Sequence, residues 1–269
     1  MTDTKQKLRQ LEEEKNIKII LAKDIGSKAW KLDSPESDTD IGILYTQEPK
    51  TYVKLKGYKQ NIDTELGQDI DIQGWNIDRY MKLLKQSNPA VVEHLLSDTT
   101  YLRESVETTY DMETYTMSEF KPLALMQHYH SLAENQYKSY LKNGSRKTVK
   151  KTLYTLKALT HKRHVENTHT APDPNFPRFV NNSMDAGPIN SYKPQLNKLI
   201  EAKKRGDGSK PYHNRHIDKL IQKELDRTYT GQEKRMHSQR SIDPEILDQF
   251  TDTILENQYE SEGLWGKII

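Results

Sequence analysis

The sequence contains no cysteine, which excludes a disulfide framework and any reaction that needs a thiolate. Hydrophobic residues are also scarce, at 33% of 269 residues, while charged residues reach 30%. This composition favours a small core with long polar helices over a large compact sheet. No apolar run approaches the roughly 20 residues of a transmembrane helix, and the polar segment 1–16 predicts a short amphipathic helix rather than a targeting signal. We therefore expect a soluble, cytoplasmic protein.

The net charge of +2 conceals an uneven distribution of charge along the chain. Residues 1–120 carry 16 basic and 22 acidic side chains, whereas residues 121–180 carry 11 basic and 3 acidic ones. Residues 201–240 are again basic, with 11 basic against 6 acidic side chains. An acidic half that faces basic helices would attract a triphosphate or a polyanionic acceptor. Ordinary solvated helix faces would give the same pattern.

Hydrophobic periodicity predicts an α/β chain whose first part carries the strands. Strands are expected near 17–24, 38–46 and 69–75, and helices at 77–84, after Asn88-Pro89, at 122–141 and at 146–165. Asn143-Gly144 would stop the helix at 122–141, and its successor would begin near Ser145.

Two segments rich in proline or glycine, 171–177 and 206–209, predict irregular connections between the later helices. From these patterns we predict a catalytic domain at 1–115. A helical domain with mobile loops would follow at 116–269.

Two aspartates, Asp38 and Asp40, lie two positions apart in an apolar strand pattern. Side chains two apart on a strand point to the same face, so these carboxylates would repel each other unless cations lie between them. The pair outlines a magnesium site. Gly26-Ser27 follows the preceding strand, where glycine allows a sharp turn and the amides and the serine hydroxyl can bind a phosphate. The two features together suggest phosphoryl or nucleotidyl transfer.

A second alternating pair, Asp69 and Asp71, lies in the next predicted strand. A two-metal site needs one more carboxylate to deprotonate the attacking hydroxyl or to complete the ligands of the second metal. This strand could supply it. Both side chains share a strand face, so geometry alone does not choose between them.

The predicted helix at 146–165 carries a row of side chains at three- and four-residue steps. The row consists of Lys147, Lys150, Lys151, Tyr154, Lys157, His161 and His164. Its lysines could neutralise triphosphate oxygens, because charge that develops on a leaving pyrophosphate needs fixed cations. A solvated basic face is the alternative.

Three histidines, His161, His164 and His169, follow one another closely in the same region. No cysteine and no fixed carboxylate accompanies them, which favours surface residues or acceptor contacts over a zinc site.

The chain resembles the nucleotidyltransferase superfamily of DNA polymerase beta. The superfamily signature, an apolar residue with Gly-Ser and a later Asp-x-Asp, matches Ile25-Gly26-Ser27 with Asp38 and Asp40. More narrowly, several motifs are similar to those of the predicted nucleotidyltransferases of the RNA repair pathway polymerase-beta family. They are Gly-Ser-Lys-Ala-Trp (26–30), Ser-Pro-Glu-Ser-Asp-Thr-Asp-Ile (34–41), Asp-Ile-Gln-Gly-Trp (71–75), Ser-Asn-Pro-Ala-Val-Val-Glu-His-Leu (87–95) and Lys-Lys-Thr-Leu-Tyr-Thr-Leu-Lys-Ala-Leu (150–159). The resemblance covers residues 15–180.

The resemblance implies a fold, a reaction and a set of site residues. The fold is a polymerase-beta-like α/β (α+β) domain with a short mixed sheet, followed by a helical domain. The reaction is attack of an acceptor hydroxyl on the α-phosphate of a nucleoside triphosphate such as ATP, with two Mg²⁺ ions as cofactor and RNA or another polyanion as acceptor. The implied metal ligands and catalytic residues are Asp38, Asp40 and Asp71, and the implied nucleotide-binding residues are Gly26, Ser27, Lys150, Lys151 and Tyr154. Asp71 is preferred to Asp69 because of its position before Gly74-Trp75.

Two other functions remain open from the sequence. The same chemistry could act on a protein or a small molecule, as in minimal nucleotidyltransferases that modify a toxin partner, although the basic helices favour nucleic acid. The chain could also be a catalytically inactive nucleic-acid-binding protein. The presence of all three carboxylates argues against this second alternative.

Overall fold

The described part of the chain contains one five-stranded mixed sheet. The structure is a computed structural model and describes residues 2–55, 57–67, 69–142, 147–228, 230, 236–238 and 240–259. The strands are β1 (Lys18–Asp24), β2 (Thr39–Thr46), β3 (Asn61–Glu65), β4 (Ile70–Asn76) and β5 (Thr100–Arg103). They lie in the order β3-β4-β2-β1-β5, with β2 and β4 parallel and the other neighbours antiparallel. The predicted α/β class with a short mixed sheet is confirmed.

Helices surround the sheet and form the rest of the described chain. They are α1 (Thr2–Lys15), α2 (Gly26–Ala29), α3 (Ile77–Lys85), α4 (Pro89–Leu96), α5 (Val106–Glu119), α6 (Pro122–Gln136), α7 (Val149–Thr168), α8 (Phe176–Arg178), α9 (Lys193–Lys204), α10 (Arg215–Leu225) and α11 (Pro244–Tyr259). Single helical turns of other types lie at Pro49–Thr51, Tyr137–Leu141, Phe179–Ser183, Gly187–Tyr192 and Asp207–Ser209. Within the described residues, no helix combines the length and the apolar character needed to cross a membrane.

Side-chain caps set the first residue of three helices near the site. Asn76 ends β4 and accepts a hydrogen bond from the backbone N–H of Asp78 at 3.2 Å, which starts α3. Asn88 caps α4 in the same way, and Pro89 takes the first helical position, where its missing N–H costs nothing. Thr148 caps α7 through the N–H of Lys151 at 3.3 Å.

The sheet is buried on both faces, and the alternation of side chains decides what each face carries. On one face, Leu8 and Leu11 of α1 pack with Ile41 and Ile43 of β2. On the opposite face, Leu44 packs with residues of α3 and α4. Because side chains alternate along a strand, Asp40 lies on the face of Leu44, away from α1.

A separate core joins the later helices. It contains apolar side chains of α6, α7, α9 and α10, among them Leu153, Leu156 and Leu159 of α7. Helix α7 therefore lies within the helical half, and its N-terminal turn faces the site described below.

Strands β3 and β5 and helix α5 were not predicted. Strand β3 buries a single apolar side chain, Ile62, and β5 has only four residues, so neither produces an alternating pattern. Three of the four buried residues of α5 are threonines, and no apolar stripe marks that helix. The predicted domain boundary at residue 115 lies inside α5. The predicted helix stop at Asn143-Gly144 and the start near Ser145 lie outside the described residues.

Candidate active site

Asp40 of β2 and Asp71 of β4 occupy the same register position on neighbouring parallel strands. Asp38 lies two residues before Asp40, just ahead of β2. Burial, and then the charges of Asp71 and Asp38, raise the pKa of the half-buried Asp40 carboxyl. Asp38 and Asp71, which the sequence also singled out, therefore both lie close to Asp40. Asp69 lies before β4, and its backbone C=O accepts a hydrogen bond from the N–H of Thr39 at 3.0 Å.

The Gly26-Ser27 turn lies directly against Asp40. The backbone N–H of Ile25 donates to the C=O of Asp40 at 2.9 Å, which fixes the turn beside β2. Gly26 has φ +61°, and a Cβ at this position would lie 2.6 Å from Asp40 Oδ2. Only glycine avoids both the strained backbone and this collision. Ser27 lines the same cavity as Asp38 and Asp40.

That cavity has a volume of about 270 Å³ and lies between the sheet and the helical half. Its walls are Ser27, Ser34, Glu36, Ser37, Asp38 and Asp40 on one side and Lys150, Lys203, Gly206, Gly208 and Ser209 on the other. We call it the phosphate cavity, after the role that is proposed for it below. The segment 206–209, predicted only as an irregular connection, thus borders the site.

The predicted nucleotide-binding residues of α7 do not all lie at this cavity. Lys150 lines it, and its charge opposes the rise in the pKa of Asp40. Burial and then the charges of Asp40 and Asp33 raise the pKa of Tyr154 to about 12, and its ring centroid lies 5.1 Å from that of Trp30. Lys151 points elsewhere, because its Nζ lies 3.8 Å from the ring centroid of Tyr140. Lys28 of α2 is a further cation close to Asp40 and was not predicted.

The rest of the predicted polar row on α7 is buried in the protein. Lys147 pairs with Asp218, and Lys157 lies 2.9 Å from Glu93. The interpretation of the histidines as surface residues or acceptor contacts is wrong for two of them, because His161 and His164 are buried. His169 is half-buried, and its Nε2 lies 2.8 Å from Nδ1 of His237.

Glu93 of α4 is the centre of a buried network that the sequence did not reveal. Its carboxylate accepts hydrogen bonds from Trp30 Nε1 at 2.6 Å, Lys157 Nζ at 2.9 Å and Tyr129 OH at 3.0 Å. Burial alone would raise the pKa of Glu93, but Lys157 and His161 hold it well below its usual range. Trp30 ends α2 and Lys157 belongs to α7, so the network fixes the Gly-Ser turn relative to the helix that carries Lys150. Glu93 lies in the 87–95 motif, but its partners Trp30, Tyr129 and Lys157 come from other parts of the chain. The motif alone therefore does not show that Glu93 is the centre of a network.

Asp40 also borders two other cavities. One has a volume of about 330 Å³ and is largely apolar, with Ala29, Trp30, Trp75 and Ala90 among its lining residues. We call it the apolar cavity. The other is acidic, because Asp63 and Glu65 of β3 lie beside Asp71. Since β3 was not predicted, these two carboxylates were missed as well.

The donor set at Asp40 suits magnesium better than a softer metal. Mg²⁺ prefers oxygen ligands and commonly takes one or two protein carboxylates, with water and substrate phosphate oxygens as its other ligands. Among the described residues, no group of three His, Cys, Asp or Glu side chains is arranged to hold a metal ion by itself. Asp38, Asp40 and Asp71 offer carboxylate oxygens of the kind that Mg²⁺ takes as one or two of its ligands.

The family comparison agrees with the motifs. A model of the RNA repair pathway DNA polymerase beta family (RlaP) matches residues 1–252. The chain is 30% identical over 200 residues to the uncharacterized protein YcgL of Bacillus subtilis (strain 168). The aligned region covers 74% of this chain and 75% of YcgL. Among solved structures, a nucleotidyltransferase-like protein from Exiguobacterium sibiricum 255-15 aligns with 97% of this chain and 92% of its own, at 13% identity and a TM-score of 0.31. The family match spans nearly the whole chain, and the chain therefore belongs to the RNA repair pathway DNA polymerase beta family.

Proposed function

We propose that the protein is a magnesium-dependent nucleotidyltransferase that moves a nucleoside monophosphate from a nucleoside triphosphate to an acceptor hydroxyl, with an RNA end as acceptor. The observation that carries this proposal is the position of Asp40. It lines one cavity together with Asp38, Ser27 and Lys150, and it is the register partner of Asp71, with which it borders a second cavity. Carboxylates next to a cationic, hydroxyl-bearing cavity are the groups that a triphosphate and its metal ions require.

The three cavities around Asp40 suggest how the substrates lie. The triphosphate occupies the phosphate cavity, where Ser27 and Lys150 bind its β- and γ-phosphates. The nucleobase enters the apolar cavity between Trp30 and Trp75, and the acceptor approaches over Asp71 on the acidic side. This arrangement places the α-phosphate at Asp40, the residue that all three cavities share.

The reaction forms a bond between the acceptor oxygen and the α-phosphorus and breaks the bond from that phosphorus to the bridging oxygen. Pyrophosphate leaves with the electron pair of the broken bond. Asp71 accepts the proton of the acceptor hydroxyl, and Lys150 neutralises charge on the leaving pyrophosphate. Asp38, Asp40 and Asp71 would hold Mg²⁺, which when bound supplies positive charge to the α-phosphate and to the acceptor oxygen.

The basic surface that remains exposed favours a polyanionic acceptor. Lys157 and Arg163 of α7 lie in buried ion pairs. Arg215, Lys219 and Lys223, in contrast, are exposed at four-residue steps on one face of α10. A row of this kind can follow a phosphate backbone. The family description, which names an RNA repair pathway, also supports RNA as acceptor.

The test offers the purified protein magnesium chloride, mixed RNA and each of the four nucleoside triphosphates in turn, labelled at the α-phosphate. We expect label to become attached to RNA with at least one of them. Label that appears on the protein or on a small molecule instead would favour the alternative acceptors. Absence of label from every product would contradict the proposed reaction.

A further inference from the structure

A lysine of the helical half reaches the phosphate cavity from the side opposite the carboxylates. Lys203 is the penultimate residue of α9, and only 5% of its surface is exposed. Its Nζ lies 3.5 Å from Ser34 Oγ, in the segment between α2 and β2. In the part of the chain that the structure describes, this ammonium group has no carboxylate within 4.0 Å.

Burial without a counter-ion is costly for a cation. Burial and the charge of Lys150 lower the pKa of Lys203, and only the charge of Asp33 opposes them. Two lysines therefore lie side by side at a cavity that holds hydroxyl groups. An anion placed between them would relieve their repulsion and offset the cost of burial.

The loop after α9 holds the Lys203 side chain in place. Gly206 has φ +95°, which allows the chain to turn back after the helix. A Cβ on Gly208 would lie 2.8 Å from Cδ of Lys203 and 3.6 Å from Cβ of Lys150. The loop backbone therefore packs directly on the stems of both lysines, and their charged ends remain at the cavity.

The positions of the two lysines indicate which phosphate of the triphosphate each one would bind. Lys150 and Lys203 line the same cavity as Asp40, where the reacting phosphate belongs. The charge of Lys150 acts on Asp40, whereas the ammonium group of Lys203 lies at Ser34. We infer that Lys203 binds the terminal phosphate of the triphosphate and makes the site select triphosphates over diphosphates. This inference rests on the proposed function, because it names the far end of the same ligand.

The experiment uses inorganic tripolyphosphate in magnesium chloride as the probe, with binding measured by calorimetry on the full-length protein. Lys203→Met keeps the length of the stem and removes the charge. Because a hydrogen bond to a charged group contributes about 1.5–3 kcal/mol, tripolyphosphate affinity should fall at least about tenfold. Lys204→Met, at an exposed position on the same helix, should bind as the wild type does, and Lys203→Arg should recover much of the affinity.

Nucleoside triphosphate and diphosphate are then compared on the same proteins. Lys203→Met should weaken triphosphate binding and leave diphosphate binding nearly unchanged. Without ligands its melting temperature should hold or rise, because an uncompensated buried charge is gone, whereas a purely structural role for the Lys203 stem and charge predicts a fall.

Wild-type affinity for tripolyphosphate in Lys203→Met, or an equal loss in Lys204→Met, would overturn the inference. So would a melting temperature that falls while tripolyphosphate affinity stays the same. The tripolyphosphate assay needs no transfer step, so the two proposals fail separately. If binding depends on Lys203 but no acceptor receives label, the phosphate site stands and the proposed reaction falls.

Discussion

Asp40 and Asp71 face each other across the parallel pair β2 and β4, at one register position of the sheet. The charge of Asp71 raises the pKa of Asp40, and after burial it is the strongest cause of that rise. Carboxylates that crowd one another in this way destabilise a folded protein unless a cation or a proton relieves them. The Mg²⁺ ions proposed for this site would relieve the repulsion.

Asp40→Asn should hold or raise the melting temperature of the protein in chelator, since the substitution removes repulsion with Asp71 and Asp38. A carboxyl whose folded-state pKa is raised destabilises the fold fully above that folded-state pKa, and the effect fades as pH falls from the folded-state to the unfolded-state pKa. The difference between Asp40→Asn and wild type should therefore shrink on acidification. Thermal melts at several pH values test this, with Asp111→Asn, at an exposed position, as control. A clear fall in melting temperature at neutral pH would contradict the interpretation.

Asp71→Asn should reduce turnover far more than Asp69→Asn at saturating triphosphate. Asp71 is the register partner of Asp40, whereas Asp69 contributes its backbone C=O to Thr39, a bond that the substitution leaves in place. Single-turnover rates of the two variants decide between them. A larger loss in Asp69→Asn would reverse the assignment.

Lys150→Ala should weaken nucleotide binding about tenfold, the effect of one lost charge-assisted contact. Lys151→Ala should change it little, because its ammonium group lies over the ring of Tyr140 and not at the phosphate cavity. Nucleotide titrations of both variants are the measurement. Lys162 would be a poor control, since it is fully buried and its substitution would disturb the core. Equal losses in Lys150→Ala and Lys151→Ala would indicate a general effect of charge on α7.

Lys219→Gln combined with Lys223→Gln should weaken the binding of single-stranded RNA and flatten its dependence on salt. If each lysine contacts one phosphate, the slope of log affinity against log salt should become less steep by about 1.4. The matched control combines Lys54→Gln with Lys59→Gln, at exposed positions in the sheet half. Identical slopes for the two double variants would leave the face of α10 as an ordinary solvated surface.

The sequence predicted the local parts of this site and missed the parts that depend on tertiary packing. Gly26-Ser27 and Asp38 with Asp40 are recognisable because a turn and a two-residue alternation are local patterns. The pairing of Asp40 with Asp71 needs the parallel register of β2 and β4, which no short pattern contains. Lys203 lies more than 160 residues after Asp40 in the sequence, so only the fold brings the two to the same cavity.

Helix geometry explains the separation of Lys150 from Lys151. Adjacent residues of an α-helix point about 100° apart, so two consecutive lysines rarely face the same ligand. The same geometry turns His161 and His164 into the core of the helical half, where both rings contact Phe179. A row of polar residues on a helix faces solvent or a ligand only if no neighbouring helix covers it. Here the neighbouring helices cover most of the row.

The central claim is that Asp40 belongs to a nucleotidyl-transfer site. Its most direct test measures the transfer of α-phosphate label from a nucleoside triphosphate to RNA by the wild type and by Asp40→Asn. The account predicts transfer by the wild type with release of pyrophosphate. It predicts loss of transfer in Asp40→Asn, with the melting temperature in chelator held or raised. Transfer by Asp40→Asn at the wild-type rate would contradict the account, because an asparagine side chain lacks the negative charge that the proposed reaction requires at this position.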